Sequence, residues 1–165
     1  ILLIKLKIMN ELDKKKCLRM FSYGMYVLSS KDKERLCAST VTWVSQASFS
    51  PPLISVCIKK NTLSYEVVKD SGTFILHILG EAQKKIASAF FKSTSVENFK
   101  INGYDYKISN GLPLIKGFPA YIVCSVEKII ELGDHPLFLA KVEDAIVLED
   151  MPGLELSSTG WSYGG

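Results

Sequence analysis

A chain of 165 residues, 47% apolar and 22% charged, is long enough to bury one core and too apolar to be disordered. Its 20 basic and 17 acidic residues give a net charge of +3, which is too small to indicate a nucleic-acid partner. The four cysteines include no CxxC pair, which argues against zinc, iron–sulfur and thioredoxin-like sites. No metal site is predicted, and reduced thiols in a cytoplasmic protein are favoured.

Residues 1–16 are expected to form a lead-in to a single domain that covers residues 17–165. The lead-in begins with an apolar run that is interrupted by two lysines, is too short to span a membrane and lacks the cleavage site of a signal peptide. No membrane segment is therefore predicted. Met9 is a candidate natural start, which would make residues 1–8 foreign to the native chain; a genuine edge strand is the alternative.

Two strands are predicted on either side of a polar turn at residues 31–35. The first, within residues 17–30, carries several aromatic residues and Gly24, where a second backbone or a ligand can approach closely. The second leads into a hydroxyl-rich stretch, residues 39–48, which ends at a turn with two consecutive prolines.

The hydroxyl-rich stretch is the strongest indication of a binding site. Its Ser and Thr side chains surround Trp43, so hydroxyls and backbone amides can bind the polar edge of a flat ligand while the indole packs against its face. A predicted buried strand over 53–58 is followed by Lys59 and Lys60, which can meet a negative group. These features predict a site for a flat, phosphorylated cofactor. The alternative is an ordinary strand–loop–strand in which Ser and Thr favour β-structure.

A short helix is predicted directly after these lysines. Asn61 or Thr62 is suited to its N-cap, and Gly72 is suited to end it. The free amides and the positive end of the helix dipole suit a phosphate group, and the site could be completed by Lys59, Lys60, Thr62 and Ser64. A plain capped helix is the alternative.

The middle of the chain is predicted to continue as strand, helix and loop. Residues 73–79 are predicted to form a strand that contains His77, for which a hydrogen-bonded core or interface position is favoured over catalysis. Residues 81–92 have the apolar spacing of a helix. Residues 93–110 are polar and rich in turn residues, which predicts a surface loop.

Two long antiparallel strands are predicted over 120–132 and 137–149, joined by a sharp turn. The total is about seven strands and two short helices without regular βαβ alternation, which favours a closed or nearly closed antiparallel barrel with helices at its side. Because the patterns GxxxxGK and GxGxxG are absent from the sequence, a nucleotidase and a nicotinamide-binding Rossmann unit are disfavoured.

Four segments, taken together and in this order, resemble the flavin reductase-like proteins. They are YGMYV over 23–27, the run from Ser39 through Ser48 to the prolines at 51 and 52, SGTF over 71–74 and GDH over 133–135. The resemblance covers residues 23–165 and implies a mainly β fold, the FMN-binding split antiparallel β-barrel with a few short helices.

Within the family, the segment TWVSQAS over 42–48 and the ending WSYGG over 161–165 are similar to FMN domains linked to rubredoxin or to diiron flavoproteins. Two positions depart from the family pattern. Cys37 and Ala38 stand where a glycine often precedes the binding threonine, and Ser50 stands where an acidic residue or asparagine often precedes the prolines. Neither departure removes a ligand-binding group.

The resemblance implies an FMN-dependent oxidoreductase that takes hydride from NADH or NADPH and passes electrons to a flavin or to a redox protein, rubredoxin-like or a diiron flavoprotein. It also implies a homodimer. The cofactor contacts that it implies come from Ser39, Thr40, Val41, Thr42, Trp43, Val44, Ser45, Gln46, Lys60, Asn61, Thr62 and Ser64. An FMN-holding electron carrier with little NAD(P)H reactivity, and a barrel without flavin, remain as alternatives.

His135 is the candidate catalytic residue. It lies in the predicted turn at 133–136, between the two long strands. Its position in the chain alone favours a turn histidine in solvent, whereas the resemblance implies a position near the flavin ring and the nicotinamide. Asp134, beside it, can orient or charge the imidazole.

Overall fold

The structure is a computed structural model that describes residues 8–165. The edge strand that was one alternative for residues 1–8 lies outside this range, apart from Ile8. The strands are β1 (Tyr26–Lys31), β2 (Leu36–Val41), β3 (Val44–Ser48), β4 (Leu53–Cys57), β5 (Thr73–Ile78), β6 (Val96–Glu97), β7 (Lys100–Ile101), β8 (Tyr104–Ser109), β9 (Leu112–Ile115), β10 (Ala120–Ile130) and β11 (Leu137–Val147). The helices are α1 (Glu11–Arg19), α2 (Leu63–Ser71) and α3 (Lys84–Ala89), with a 3₁₀ turn at Leu156–Thr159.

Seven strands form one antiparallel sheet in the order β2-β1-β5-β10-β11-β4-β3. Its two edge strands, β2 and β3, are consecutive in the chain and are separated only by Thr42 and Trp43. The sheet therefore has to curl strongly to bring its edges together, and irregularities in the pairing of β10 with β11 help long strands to bend. This architecture confirms the predicted split barrel. Strands β6–β9 form a second, small sheet.

Strand β1 is buried on both faces, because Val27 and Leu28 point to opposite sides of the sheet. Val27 belongs to a core cluster with Met25, Phe90 and other apolar residues, and Leu28 belongs to a second one that Phe74 shares. Two-sided burial explains why this strand shows no simple apolar–polar alternation in sequence.

The N-terminal part of the described chain differs from the prediction. Residues expected to be a lead-in and the start of a strand form helix α1, and the first strand begins only at Tyr26. The Asn10 side chain accepts hydrogen bonds from the amides of Leu12 (2.9 Å) and Asp13 (3.1 Å), which is a standard N-cap. None of the nine helical residues is buried, so no apolar stripe marked the helix in the sequence.

The predicted surface loop over 93–110 contains three strands, β6, β7 and β8. Asn98, Phe99 and Asn102 adopt positive φ angles in the tight turns between them. The turn residues made the segment look irregular, whereas Ile101 is fully buried in the core. Helix α3 is also shorter than predicted and ends at Ala89.

His77 is a buried core residue, as predicted. Its Nδ1 lies 3.0 Å from the Val27 carbonyl oxygen, and the Ile115 amide donates to its Nε2 at 3.1 Å. The carbonyl can only accept and the amide can only donate, so the proton is on Nδ1. Burial lowers the pKa of His77 to about 4, which keeps the imidazole neutral near pH 7.

Candidate functional site

A cavity of about 780 Å³ lies beside strand β2 and the start of helix α2. Its volume is within the range of roughly 300–1,000 Å³ that is common for small-molecule sites. Its walls come from four parts of the chain: the end of β2, the segment from β4 into α2, the segment after α3, and the C-terminal segment, with His135 between them. No helix among residues 8–165 is long and apolar enough to cross a membrane.

Thr42 and Trp43 occupy the break between β2 and β3. The Val44 amide donates to the Thr42 carbonyl at 3.1 Å and the Cys57 amide donates to the Trp43 carbonyl at 3.0 Å, which holds both residues against the cavity. Thr42 Oγ1 and Trp43 Nε1 are buried and have no hydrogen-bond partner among residues 8–165. An unsatisfied buried polar group costs about 1–3 kcal/mol, so a ligand group that reached either atom would recover that cost.

The two hydroxyls at the end of strand β2, those of Ser39 and Thr40, already have protein partners. Thr40 Oγ1 donates to the Ala87 carbonyl of α3 at 2.8 Å, and Ser39 Oγ lies 2.7 Å from Ser64 Oγ of α2. Both residues line the cavity, but their hydroxyls join β2 to the two helices. Of the hydroxyls of Ser39, Thr40 and Thr42, only that of Thr42 has no hydrogen-bond partner in the described part of the chain.

Helix α2 begins at the cavity. Thr62 caps it, accepting from the Tyr65 amide at 3.2 Å and donating to the Lys59 carbonyl at 2.7 Å. The amides of Leu63 and Ser64 belong to the first turn, which has no intrahelical acceptor, and both residues line the cavity. The cavity wall at this end therefore offers amide donors and the positive end of the helix dipole.

Of the two lysines that the sequence suggested for a negative group, Lys59 and Lys60, only Lys59 lines the cavity. Lys60 Nζ donates to the carbonyl of Glu131 at 3.1 Å, on the outside of the barrel. Lys59 lines the cavity instead, and Lys92 lines it from the segment after α3. Lys59 and Lys60 both lie after the end of β4, where the chain turns into α2, and only Lys59 is among the residues that line the cavity.

His135 is held on both sides by hydrogen bonds. Its Nδ1 lies 2.9 Å from Asp134 Oδ1, and its Nε2 lies 2.7 Å from the hydroxyl of Tyr163. The imidazole centroid is 4.6 Å from that of Trp43, and the His135 side chain is only 13% exposed. A solvated turn histidine is therefore excluded. The hydrogen bond from His135, with its charge when protonated, lowers the pKa of Asp134, and burial raises the pKa of Tyr163.

Most of the predicted site residues are brought together at this cavity. Those that line it are Ser39, Thr40, Val41, Thr42, Trp43, Asn61, Thr62, Ser64 and His135. Those outside its lining are Val44, Ser45, Gln46 and Lys60. From Val44 onward the chain pairs with β4, and Ser45 and Gln46 are exposed on that edge strand.

Two wall segments were not predicted. The first contains Phe91, Lys92 and the hydroxyl residues that follow them after α3. It was not expected at the cavity because residues 81–92 were predicted to form a helix. Trp161 packs edge-on against Phe91 at 4.9 Å, and Lys84 Nζ lies 4.7 Å from the Trp161 ring centroid. Residues 90–94, FFKST, combine aromatic and hydroxyl side chains as the 39–43 stretch does, and that shared feature could have indicated this wall segment.

A curled antiparallel barrel with an aromatic, hydroxyl-lined cavity beside a helix N-terminus defines a class: small barrels that bind a flat ligand with a polar edge. Residues 18–158 match the family model for the flavin reductase like domain. The chain belongs to the flavin reductase-like family.

Relatives and solved structures agree with this membership. The chain is 33% identical over 132 residues to a ferric-chelate reductase (NAD(P)H) of Archaeoglobus fulgidus, covering 78% of each protein. It is 30% identical over 136 residues to the high molecular weight rubredoxin of Moorella thermoacetica, covering 81% of this chain but only 59% of that protein. The NADH:FAD oxidoreductase SgcE6 of Streptomyces globisporus, solved in complex with NAD and FAD fragments, superposes with a TM-score of 0.78 at 26% identity, covering 96% of this chain and 97% of that one.

Proposed function

We propose that the chain is an NAD(P)H-dependent oxidoreductase that binds FMN in the cavity described above. The observation that carries the proposal is a pair of buried polar atoms in the cavity-lining residues Thr42 and Trp43, Oγ1 and Nε1, which have no hydrogen-bond partner in the part of the chain that the structure describes. An isoalloxazine ring has an apolar face for an indole and a polar edge with donors and acceptors for such groups. A barrel module without flavin would leave both groups unsatisfied inside the fold.

The phosphate of the cofactor is proposed to lie at the part of the cavity wall where α2 begins. A phosphate group would accept from the first amides of α2, with Asn61, Thr62 and Ser64 around it. Lys59 and Lys92 would supply the positive charge in direct reach. Contacts from Val44, Ser45, Gln46 and Lys60 stay predictions, and Lys60 would add charge beside the helix start without lining the cavity.

FMN, when bound, would supply the redox chemistry, and the protein would supply binding, orientation and exclusion of water. The hydride donor is NADH or NADPH. His135 would position the nicotinamide or the flavin edge; hydride transfer needs no general base, so its effect would be on geometry and not on proton abstraction. Names of relatives that contain NAD(P)H, flavin and FMN support this assignment.

The electron acceptor is proposed to be a flavin or a redox protein. The rubredoxin name of the Moorella relative supports a rubredoxin-like acceptor, and related proteins named as monooxygenase reductase subunits support free flavin. A homodimer is also proposed. Large apolar side chains such as Phe49 (89% exposed) and Met20 (81% exposed) are available for burial between two copies.

Titration of the purified protein with FMN and with riboflavin tests the site. Thr42→Val should weaken both ligands roughly two- to tenfold, because each loses one hydrogen bond, while the ligand-free protein keeps its stability since the hydroxyl has no partner there. Lys59→Ala with Lys92→Ala should weaken FMN roughly tenfold and leave riboflavin unchanged. Thr40→Val is the matched control and should lower stability through the lost bond to Ala87.

Two results would contradict the proposal. Equal affinity for FMN in the wild type and in Thr42→Val would contradict a hydrogen bond between the Thr42 hydroxyl and the ligand, on which the proposal rests. FMN that binds but is not bleached by NADH or NADPH under anaerobic stopped flow would favour the electron carrier over the reductase.

A further inference from the structure

The C-terminal segment contains a side chain that completes the surroundings of His135. Tyr163 lies 28 residues from His135 in sequence, yet its hydroxyl is 2.7 Å from His135 Nε2. The centroid of its ring also lies 5.4 Å from that of Trp43, and both residues line the cavity. Tyr163 is itself 45% exposed, so its burial alone does not account for this position.

The hydrogen-bond roles in this chain of three residues follow from what each group can do. The Asp134 carboxylate, when ionised, can only accept, so Nδ1 of His135 donates to it over 2.9 Å. In a neutral imidazole the other nitrogen then accepts, and the Tyr163 hydroxyl is the donor to Nε2. The two partners therefore select one tautomer and one orientation of the ring.

The backbone next to Tyr163 packs closely against Trp43 and is held by contacts with α1. Gly164 has φ of 88°, and a Cβ at this position would lie 2.8 Å from Cζ2 of Trp43. Arg19 Nε of helix α1 donates to the Gly164 carbonyl at 3.2 Å, and Trp161 is packed against Phe91 on the other side. Only glycine allows the chain to pass so close to the indole with this φ.

We propose that Tyr163 is a positioning residue for His135: its hydroxyl, opposite Asp134, holds the imidazole as the Nδ1–H tautomer, with the ring fixed against Trp43. The relevance of this arrangement to hydride transfer rests on the proposed function. The arrangement itself does not, because all of its partners are residues of the chain.

The test is the imidazole ¹⁵N spectrum of ligand-free, uniformly labelled protein. The chain has only two histidines, so the spectrum contains two rings, and His77 serves as an internal reference for an Nδ1–H tautomer. In the wild type, His135 should show a protonated Nδ1 and an accepting Nε2. Tyr163→Phe keeps the ring on Trp43 and removes only the hydroxyl; it should shift the His135 nitrogens toward a mixture of tautomers and leave those of His77 unchanged.

A second variant moves the same side chain without altering it. Gly164→Ala should push Tyr163 away from Trp43 and reproduce the His135 change. Gly111→Ala is the matched control, because Gly111 has a similar φ of 81° but nothing within 4 Å of the added Cβ. Identical His135 signals in the wild type and in both Tyr163→Phe and Gly164→Ala would overturn the proposal.

The kinetic measurement separates this proposal from the proposed function. The Tyr163→Phe variant should bind FMN as the wild type does. NAD(P)H should reduce its bound FMN roughly three- to tenfold more slowly, as expected for one misplaced contact. A wild type that binds no FMN would contradict the proposed function, while the tautomer measurement would still decide the role of Tyr163. A changed spectrum with an unchanged rate would reject Tyr163 as a positioning residue for the reaction.

Discussion

The buried histidine of strand β5 should make the stability of this protein depend on pH. His77 is fully buried, both ring nitrogens are used by the backbone, and burial lowers its pKa from 6.5 to about 4. Below pH 6.5 the unfolded chain takes up a proton that the native imidazole cannot accept. Stability should therefore fall as the pH falls, with the loss complete below about pH 4, where the native form is also protonated.

The magnitude follows from the difference between the two pKa values. Each pKa unit corresponds to about 1.4 kcal/mol, so the fall from 6.5 to about 4 corresponds to about 3 kcal/mol. This is a large fraction of the 5–15 kcal/mol by which domains are usually stable. Because His77 is almost completely buried, solvent screening does not reduce the effect.

Urea unfolding between pH 7.5 and pH 4 measures this effect in the wild type and in His77→Gln. The glutamine amide can donate to the Val27 carbonyl and accept from the Ile115 amide without titrating, so carboxylates that titrate in both proteins cancel in the difference. The advantage of the wild type should shrink by about 3 kcal/mol over this range. His135→Gln is the control and should keep the His77 dependence. Parallel stability curves for the wild type and His77→Gln would refute the reasoning.

Two further predictions concern thiols and core packing. Cys17 is exposed and should react first with a thiol reagent, and the half-buried Cys57 of the cavity wall should react more slowly and be protected by FMN. Burial raises the pKa of Cys37 to about 11 and that of Cys124 to about 12, which should keep both thiols unreactive until the protein unfolds. Mass spectrometry of labelled peptides, with and without FMN, measures the order of reaction, and early labelling of Cys124 would contradict the prediction. Phe90→Ala should cost about 3–5 kcal/mol of unfolding free energy, because the ring is 1% exposed in the core, and a loss below 1 kcal/mol would show that the site collapses around the change.

Local signals in the sequence were enough for several elements. The turn at 133–136 lies between β10 and β11, and helix α2 is capped by Thr62 and ends at Gly72 with φ of 68°, as predicted. Caps, tight turns and apolar runs act over a few residues, so they can be recognised without knowledge of the rest of the fold. The antiparallel barrel followed from the same local features, since strands without helical crossovers have few other ways to bury both faces.

Features with weak or misleading local signals were missed. Helix α1 has a clear N-cap at Asn10 but no buried face, and the strands within 93–110 are short and separated by turn residues. In both places composition suggested irregular structure. In the segment 93–110, burial of Ile101 in the core cluster that contains Phe90 stabilises short strands for which the local sequence gives little preference.

The candidate site shows the same division. The sequence by itself determined which residue types would surround a flat ligand, because Trp43 and its hydroxyl neighbours are adjacent in the chain. Only the tertiary structure decided that Thr42 Oγ1 has no partner among residues 8–165 while Thr40 Oγ1 has one, that Lys59 and not Lys60 lines the cavity, and that Tyr163 reaches His135. The physical reason is that each of these outcomes depends on which side of a strand or tail meets a distant element, and that is set by the curl of the sheet and the packing of the helices on it.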